Sequence, residues 1–216
     1  MPPSCCVFDL DGTLIDSRRD LRNAVNRMRD HFGLDPLSLD SVTRAIGDGV
    51  RKLVERTMGP EAPDIPKAMR KFRVAYEKNL YDETVLYPGV EEGLAQMRGA
   101  GILLAICSNK PEALCARILN HFGIDSLFFA VSGGDTCEQR KPSPEPIESL
   151  LQAARCDPDS AWVIGDHVTD LKAARLAGVR SIFVTYGFGR RNGEEPTHIA
   201  GDFAGAADIV LFGSPP

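Results

Sequence analysis

The chain has 216 residues, 43% of them hydrophobic and 25% charged, enough for one sizeable globular core or a core with a modest insertion. A net charge of −5 without a long Lys/Arg block leaves no footprint for nucleic acid, and no apolar stretch reaches the length of a membrane span. Neither nucleic acid nor membrane is therefore an expected partner, and an anionic ligand has to be met by a few specific lysines or arginines. Met1-Pro2-Pro3-Ser4 lacks the basic-then-apolar layout of a signal peptide, so the expected location is cytoplasmic. The six cysteines (5, 6, 107, 115, 137 and 156) show no Cys-x-x-Cys spacing and read as small hydrophobes rather than disulfides or zinc ligands.

The first element is an apolar strand over 5–8 that ends in Asp9-Leu10-Asp11-Gly12-Thr13. Alternate side chains of an extended chain share a direction, so Asp9 and Asp11 both face the cleft expected at the carboxyl end of a strand in an open α/β sheet. Two like charges this close repel, and a bound cation is a common remedy. One carboxylate can then attack while the other handles a proton. Taken alone, the segment reads equally well as a polar turn.

Residues 16–83 carry helical periodicity only. Leu21, Ala24, Val25, Met28 and Phe32 mark a first helix, with Asp16 or Ser17 placed to cap it. Val50, Leu53, Val54 and Met58 mark a second, and Met69, Phe72, Ala75 and Tyr76 a third within 66–81. The region reads as an all-helical insertion, of the kind that closes over a site and excludes water. Gly47 and Gly49 permit a tight loop at a helix start, whose N–H groups suit a carboxylate or merely begin the helix.

From residue 84 onward the pattern alternates. Strands are expected over 102–107, 128–132, 161–165, 181–185 and 208–211, with helices over 112–122, 144–154 and 168–177. The expected fold is α/β: a Rossmann-like parallel sheet with helices on both faces, formed by 1–15 and 84–216 and carrying the helical domain 16–83. The glycine-rich loop 187–195 reads as mobile and the tail 213–216 as frayed.

Three further segments follow expected strands. Ser108-Asn109-Lys110-Pro111 offers neutral donors and a helix N-terminus, which suit a phosphate or simply cap the helix. In Arg140-Lys141-Pro142-Ser143-Pro144 the prolines restrict the backbone and can aim one side chain inward, although a lone lysine usually lies at the surface. In Gly165-Asp166-His167-Val168-Thr169-Asp170, Asp166 can meet Asp9 and Asp11 across the sheet top, and Asp170 lies about one helical turn beyond. Such a carboxylate cluster suits Mg2+, a hard cation with oxygen ligands.

These four segments, in this order, closely resemble the motifs of the haloacid dehalogenase superfamily, most of whose members are phosphatases. The resemblance implies that Asp9 attacks phosphorus to give an aspartyl-phosphate. Asp11 protonates the departing alcohol and then deprotonates the hydrolytic water. Mg2+ is held by Asp9, the main-chain carbonyl of Asp11, and Asp166. Ser108, Asn109 and Lys141 cradle the phosphoryl oxygens, Asp170 supports the metal shell or orients Lys141, and His167 is incidental. An aspartate at position 11 favours phosphoester over carbon–halogen chemistry. The insertion resembles that of phosphoglycolate phosphatases in Arg44-Ala45-Ile46-Gly47-Asp48-Gly49-Val50, as do Gly133-Gly134-Asp135 and Thr185-Tyr186-Gly187 downstream. By that resemblance Arg44, Gly47 and Gly49 bind substrate, and the substrate is a small phosphate ester, 2-phosphoglycolate first. Asp48 stands where that group often has Asn; unless it points away, or Arg44, Arg51 or Arg56 compensates, it repels an anionic substrate. A pyrophosphatase, a broad sugar-phosphate phosphatase, a phosphomutase and a non-enzymatic binding module remain as alternatives. Monomer and homodimer are both open.

Overall fold

The computed structural model describes residues 3–59 and 64–213. The chain divides into two compact units, one of Met1–Ile15 with Leu86–Pro216 and one of Asp16–Val85. Strand β1 (Cys5–Phe8) opens the first unit, and the chain leaves it through β2 (Ile15–Asp16). The second unit holds helices α1 (Arg18–His31), α2 (Leu39–Thr43), α3 (Val50–Met58) and α4 (Ile65–Lys78). The chain returns through β3 (Val85–Leu86), and β2 and β3 pair as a two-stranded ribbon.

The rest of the first unit alternates helix and strand: α5 (Val90–Gly99), β4 (Leu103–Cys107), α6 (Glu112–His121), β5 (Phe128–Ser132), α7 (Glu145–Ala154), β6 (Ala161–Gly165), α8 (Val168–Leu176), β7 (Arg180–Val184), β8 (His198–Ala200) and α9 (Phe203–Phe212). Six strands form one sheet in the order β5-β4-β1-β6-β7-β8, parallel throughout. β1 lies at its centre, and all four of its residues are fully buried, which is why it reads as an unbroken apolar run. On one face, Cys5 and Val7 pack with Ile147, Leu150 and Leu151 of α7 and with Ala173 and Ala174 of α8. On the other, Phe8 packs with its ring centroid 6.0 Å from that of Phe203 of α9, the two rings tilted. α9 packs on α5, where Gly93 leaves room for the Phe203 ring. All six cysteines are free thiols, and burial pushes those of Cys5 and Cys107 up to about 12.

Register sets the working edge. Phe8 stands opposite Ile106 of β4 and Ile164 of β6, so the residues after these three strands emerge side by side. The amide of Asp9 donates to the Ile164 carbonyl at 2.9 Å, carrying the alignment one residue past β1.

Several elements differ from expectation: α2, α5, β2, β3 and β8 are not among the expected elements, and the segment expected as the last strand is helical. Residues 208–211 lie in helix α9, and the last strand is β8. The Ile209-Val210-Leu211 run is apolar enough for either state. An Ala/Gly-rich approach and Asp202, whose carboxylate accepts from the Gly205 amide at 2.7 Å, start a helix instead. The tail residues 214–216 lie outside the described residues. No described helix is long and apolar enough to cross a membrane.

In the second unit α1 packs on α4, burying Leu21, Ala24, Val25 and Met28 along one stripe and Ala68, Phe72 and Tyr76 along the other. Asp16 serves the start of α1, its carboxylate accepting from the Arg18 amide at 3.2 Å. Asp20, 1% exposed, accepts from the Glu83 amide at 3.0 Å and from the Thr84 hydroxyl at 2.7 Å, tying α1 to the segment that leaves the unit. Replacing Asp20 with Ala strands these donors and should cost about 2–4 kcal/mol in urea unfolding, with faster amide exchange at Glu83. An Asp20→Ala protein as stable as its parent would contradict a structural role for this clip.

Candidate active site

Each strand end delivers one component. After β1 the chain turns at Gly12, whose φ of 94° is a left-handed conformation, and Leu10 O accepts from the amides of Thr13, Leu14 and Ile15. A β-carbon on Gly12 would run into the Asp166 carboxylate, so the turn and Asp166 pack as one piece. After β4, the Ser108 amide donates to Ser132 O at 2.9 Å, and the Asn109 side-chain amide donates to Lys141 O at 3.0 Å.

Lys141 is 3% exposed. Its ammonium donates to Asp9 Oδ1 at 2.8 Å, to Asp170 Oδ1 at 2.6 Å and to the Cys107 carbonyl. The peptide between Lys141 and Pro142 is cis. Asp170 accepts at its other oxygen from the His167 amide at 3.0 Å, and the His167 ring accepts in turn from the Thr169 amide at 3.3 Å. His167 is thus the N-cap of α8.

Asp166, 2% exposed, accepts at Oδ2 from the amides of Phe188 and Gly189 at 2.9 and 2.8 Å. Gly187 lies so close that a β-carbon there would overlap both the Asp166 side chain and the Gly12 carbonyl. Tyr186 donates its hydroxyl to Thr13 O at 2.7 Å. Tyr186 and residues 187–189, the start of the loop 187–195 that reads as mobile from sequence, therefore form a strap across the β1 turn and Asp166. Their glycines serve close approach.

Carboxylate oxygens of Asp9, Asp166 and Asp170 lie within 4.8 Å of one another, the one such cluster among the described residues. The Asp11 side chain stands apart from it and pairs with Lys110 Nζ at 2.6 Å. Sequence reasoning missed Lys110, because a lysine beside a strand end normally reads as surface; here its side chain is 5% exposed.

The electrostatics follow from the crowding. Burial pushes the Asp9 carboxyl up to about 7, with Lys141 opposing and Asp170 adding to the rise. Burial and then the Asp9 and Asp170 charges push Asp166 well above the usual carboxylate range. Burial works against the Lys141 ammonium, but the carboxylates of Asp170 and Asp9 hold it firmly charged. Four aspartates face two lysines here, a formal excess of two negative charges. An all-oxygen donor set with that deficit fits a hard divalent cation.

Arg44, Gly47 and Gly49 belong to the other unit. Arg44 is exposed, and its guanidinium donates to the Ser41 hydroxyl at 3.3 Å. Gly47 and Gly49 have φ of 119° and 85°, and Gly49 is the N-cap of α3. Asp48 is paired with Arg56 at 2.5 Å, while Arg51 is paired with Glu55 at 2.9 Å. Of the three arginines considered as compensators, Arg56 is the one that meets Asp48.

The strap makes a testable demand. Gly187→Ala should cost about 1–3 kcal/mol of core stability in urea unfolding, because the added methyl displaces either Asp166 or the β1 turn. An unchanged midpoint would mean that the approach is looser than described.

Comparison with known proteins agrees with this architecture. The family description "haloacid dehalogenase-like hydrolase" matches residues 6–184. A phosphoglycolate phosphatase of Chromobacterium violaceum is 38% identical over 188 residues, covering 84% of this chain and 85% of that protein. One from Psychrobacter arcticus is 34% identical over 229 residues, covering 100% and 99%. The crystal structure of a predicted phosphoglycolate phosphatase from Haemophilus somnus superposes with a TM-score of 0.89 at 31% identity, covering 98% of each chain. A parallel sheet of this order, its aspartates gathered at one edge, and relatives along its whole length make this chain a member of the haloacid dehalogenase-like hydrolases.

Proposed function

We propose that the chain is a Mg2+-dependent phosphatase that hydrolyses small phosphomonoesters, with 2-phosphoglycolate its preferred substrate. The observation that carries this is the Lys141 bridge, at 2.8 Å to Asp9 and 2.6 Å to Asp170, beside the cluster of Asp9, Asp166 and Asp170. A carboxylate at the end of a central strand, held by a buried ammonium and flanked by oxygen donors, is equipped to attack an anionic phosphoryl group.

Asp9 attacks phosphorus in line, and the bond to the ester oxygen breaks as the aspartyl-phosphate forms. Asp11 gives its proton to the leaving alcohol and then takes one from the water that hydrolyses the intermediate. Ser108 and Asn109 offer donors to the phosphoryl oxygens, and Lys141 offsets charge on both Asp9 and phosphate. Asp9, Asp166 and the Asp11 carbonyl would hold Mg2+, with Asp170 supporting. When bound, the ion supplies neutralisation of the phosphoryl charge. We read the unit Asp16–Val85 as a cap, and the family resemblance gives Arg44, Gly47 and Gly49 to substrate binding. The Asp48–Arg56 pair removes the repulsion that Asp48 would otherwise exert on an anionic ligand. The relatives described as phosphoglycolate phosphatases support this choice of substrate.

Phosphate release from 2-phosphoglycolate, sugar phosphates and pyrophosphate, with and without Mg2+, tests the reading. Turnover should require Mg2+ and favour 2-phosphoglycolate. Asp9→Asn should lower turnover by at least about 10³-fold with the fold retained by circular dichroism. Better turnover of another ester would overturn the substrate, and substantial activity in Asp9→Asn would overturn the nucleophile.

A further inference from the structure

Lys110 and the Gly133-Gly134-Asp135 segment have no part in the chemistry so far, although both stand at the working edge. The main chain of Lys110 is pinned on several sides. Its amide donates to the Ser108 hydroxyl at 3.4 Å, and its carbonyl accepts from the Gly134 amide at 2.8 Å and from the Cys115 thiol at 3.6 Å. Gly133 and Gly134 are pressed onto the same loop: β-carbons there would overlap the Glu112 amide and the Asn109 carbonyl. Asp135 completes the contact, its carboxylate accepting from the Glu112 amide at 2.8 Å. From this braced loop the Lys110 side chain reaches Asp11 Oδ1 at 2.6 Å, the two side chains being 5% and 14% exposed.

We propose that Lys110 is the positioning residue for Asp11: braced by Gly133-Gly134-Asp135, its ammonium holds Asp11 Oδ1 and so sets the direction of the carboxyl group, which takes up a proton from solvent as the anionic substrate offsets that ammonium and passes it to the leaving alcohol. The inference rests on the reading of Asp11 as the proton donor and deepens it. An aspartate on a glycine turn has two side-chain rotations to lose, and a buried contact at Oδ1 restricts them. Three strand ends then act together. The end of β5 sets the loop after β4, and that loop sets the acid after β1.

The test exploits leaving groups. An alkyl ester such as 2-phosphoglycolate needs a proton on its departing oxygen, whereas p-nitrophenyl phosphate releases a stable anion without one. Values of kcat/KM for both esters are compared in wild type, Lys110→Met, Lys110→Arg, Asp11→Asn and the Lys110→Met/Asp11→Asn double variant. Lys110→Met should lower the alkyl ester's kcat/KM at least about tenfold further than the aryl ester's. Lys110→Arg should recover part of that gap. On the Asp11→Asn background, Lys110→Met should cost less than about twofold more. Equal losses on both esters, including loss of both through misfolding, would overturn the proposal, as would full additivity in the double variant. An Asp11→Asn enzyme with no difference between the esters would instead overturn the reading of Asp11 beneath it.

Discussion

Crowded negative charge in a nearly dry place is the constraint on which the rest of this structure depends. Asp9, Asp166 and Asp170 bring their oxygens within 4.8 Å of one another at the edge of a parallel sheet. Three carboxylates cannot share such a site ionised without compensation. Lys141 supplies part of it, bridging Asp9 and Asp170 from a position almost without solvent. The remaining imbalance appears as Asp9 pushed up to about 7 by burial against the pull of Lys141. On the function proposed above, a divalent cation relieves this crowding and lets an anionic substrate approach.

Backbone detail at the edge serves that concentration of charge. The turn at Gly12 and the strap of 186–189 press on Asp166 from two sides where no β-carbon fits, and two strap amides hold its Oδ2. α8 begins directly beneath, so that Asp170 reaches Lys141 with one oxygen and the His167 amide with the other. The groups that neutralise charge are thus held by the main chain of neighbouring strands. A parallel sheet provides this readily, because its loops all emerge at the same end.

Much of this was legible in the sequence, for identifiable reasons. β1 reads as a buried strand because all four of its residues are apolar, and the spacing of Asp9 and Asp11 places them at its end. The helices of 16–85 follow from their stripes of buried residues. What escaped was tertiary. Lys110 and Asp11 are separated by 99 positions, and nothing local marks their pairing. The strap glycines 187 and 189 fall in a loop that reads as mobile because glycine signals freedom and close approach alike. Residues 208–211 looked like a strand because a short apolar run carries no period of its own. The Asp48–Arg56 pair depends on how a glycine loop folds back on α3.

The most direct measurement is calorimetric titration of Mg2+ into the metal-free protein and its Asp166→Asn variant. The expected result is one saturable site on the parent, weakened at least about tenfold in Asp166→Asn while both proteins keep the same fold by circular dichroism. Equal affinity in the two proteins would contradict the assignment of the Asp9, Asp166 and Asp170 edge as the cation site, and with it the reason given for the crowding.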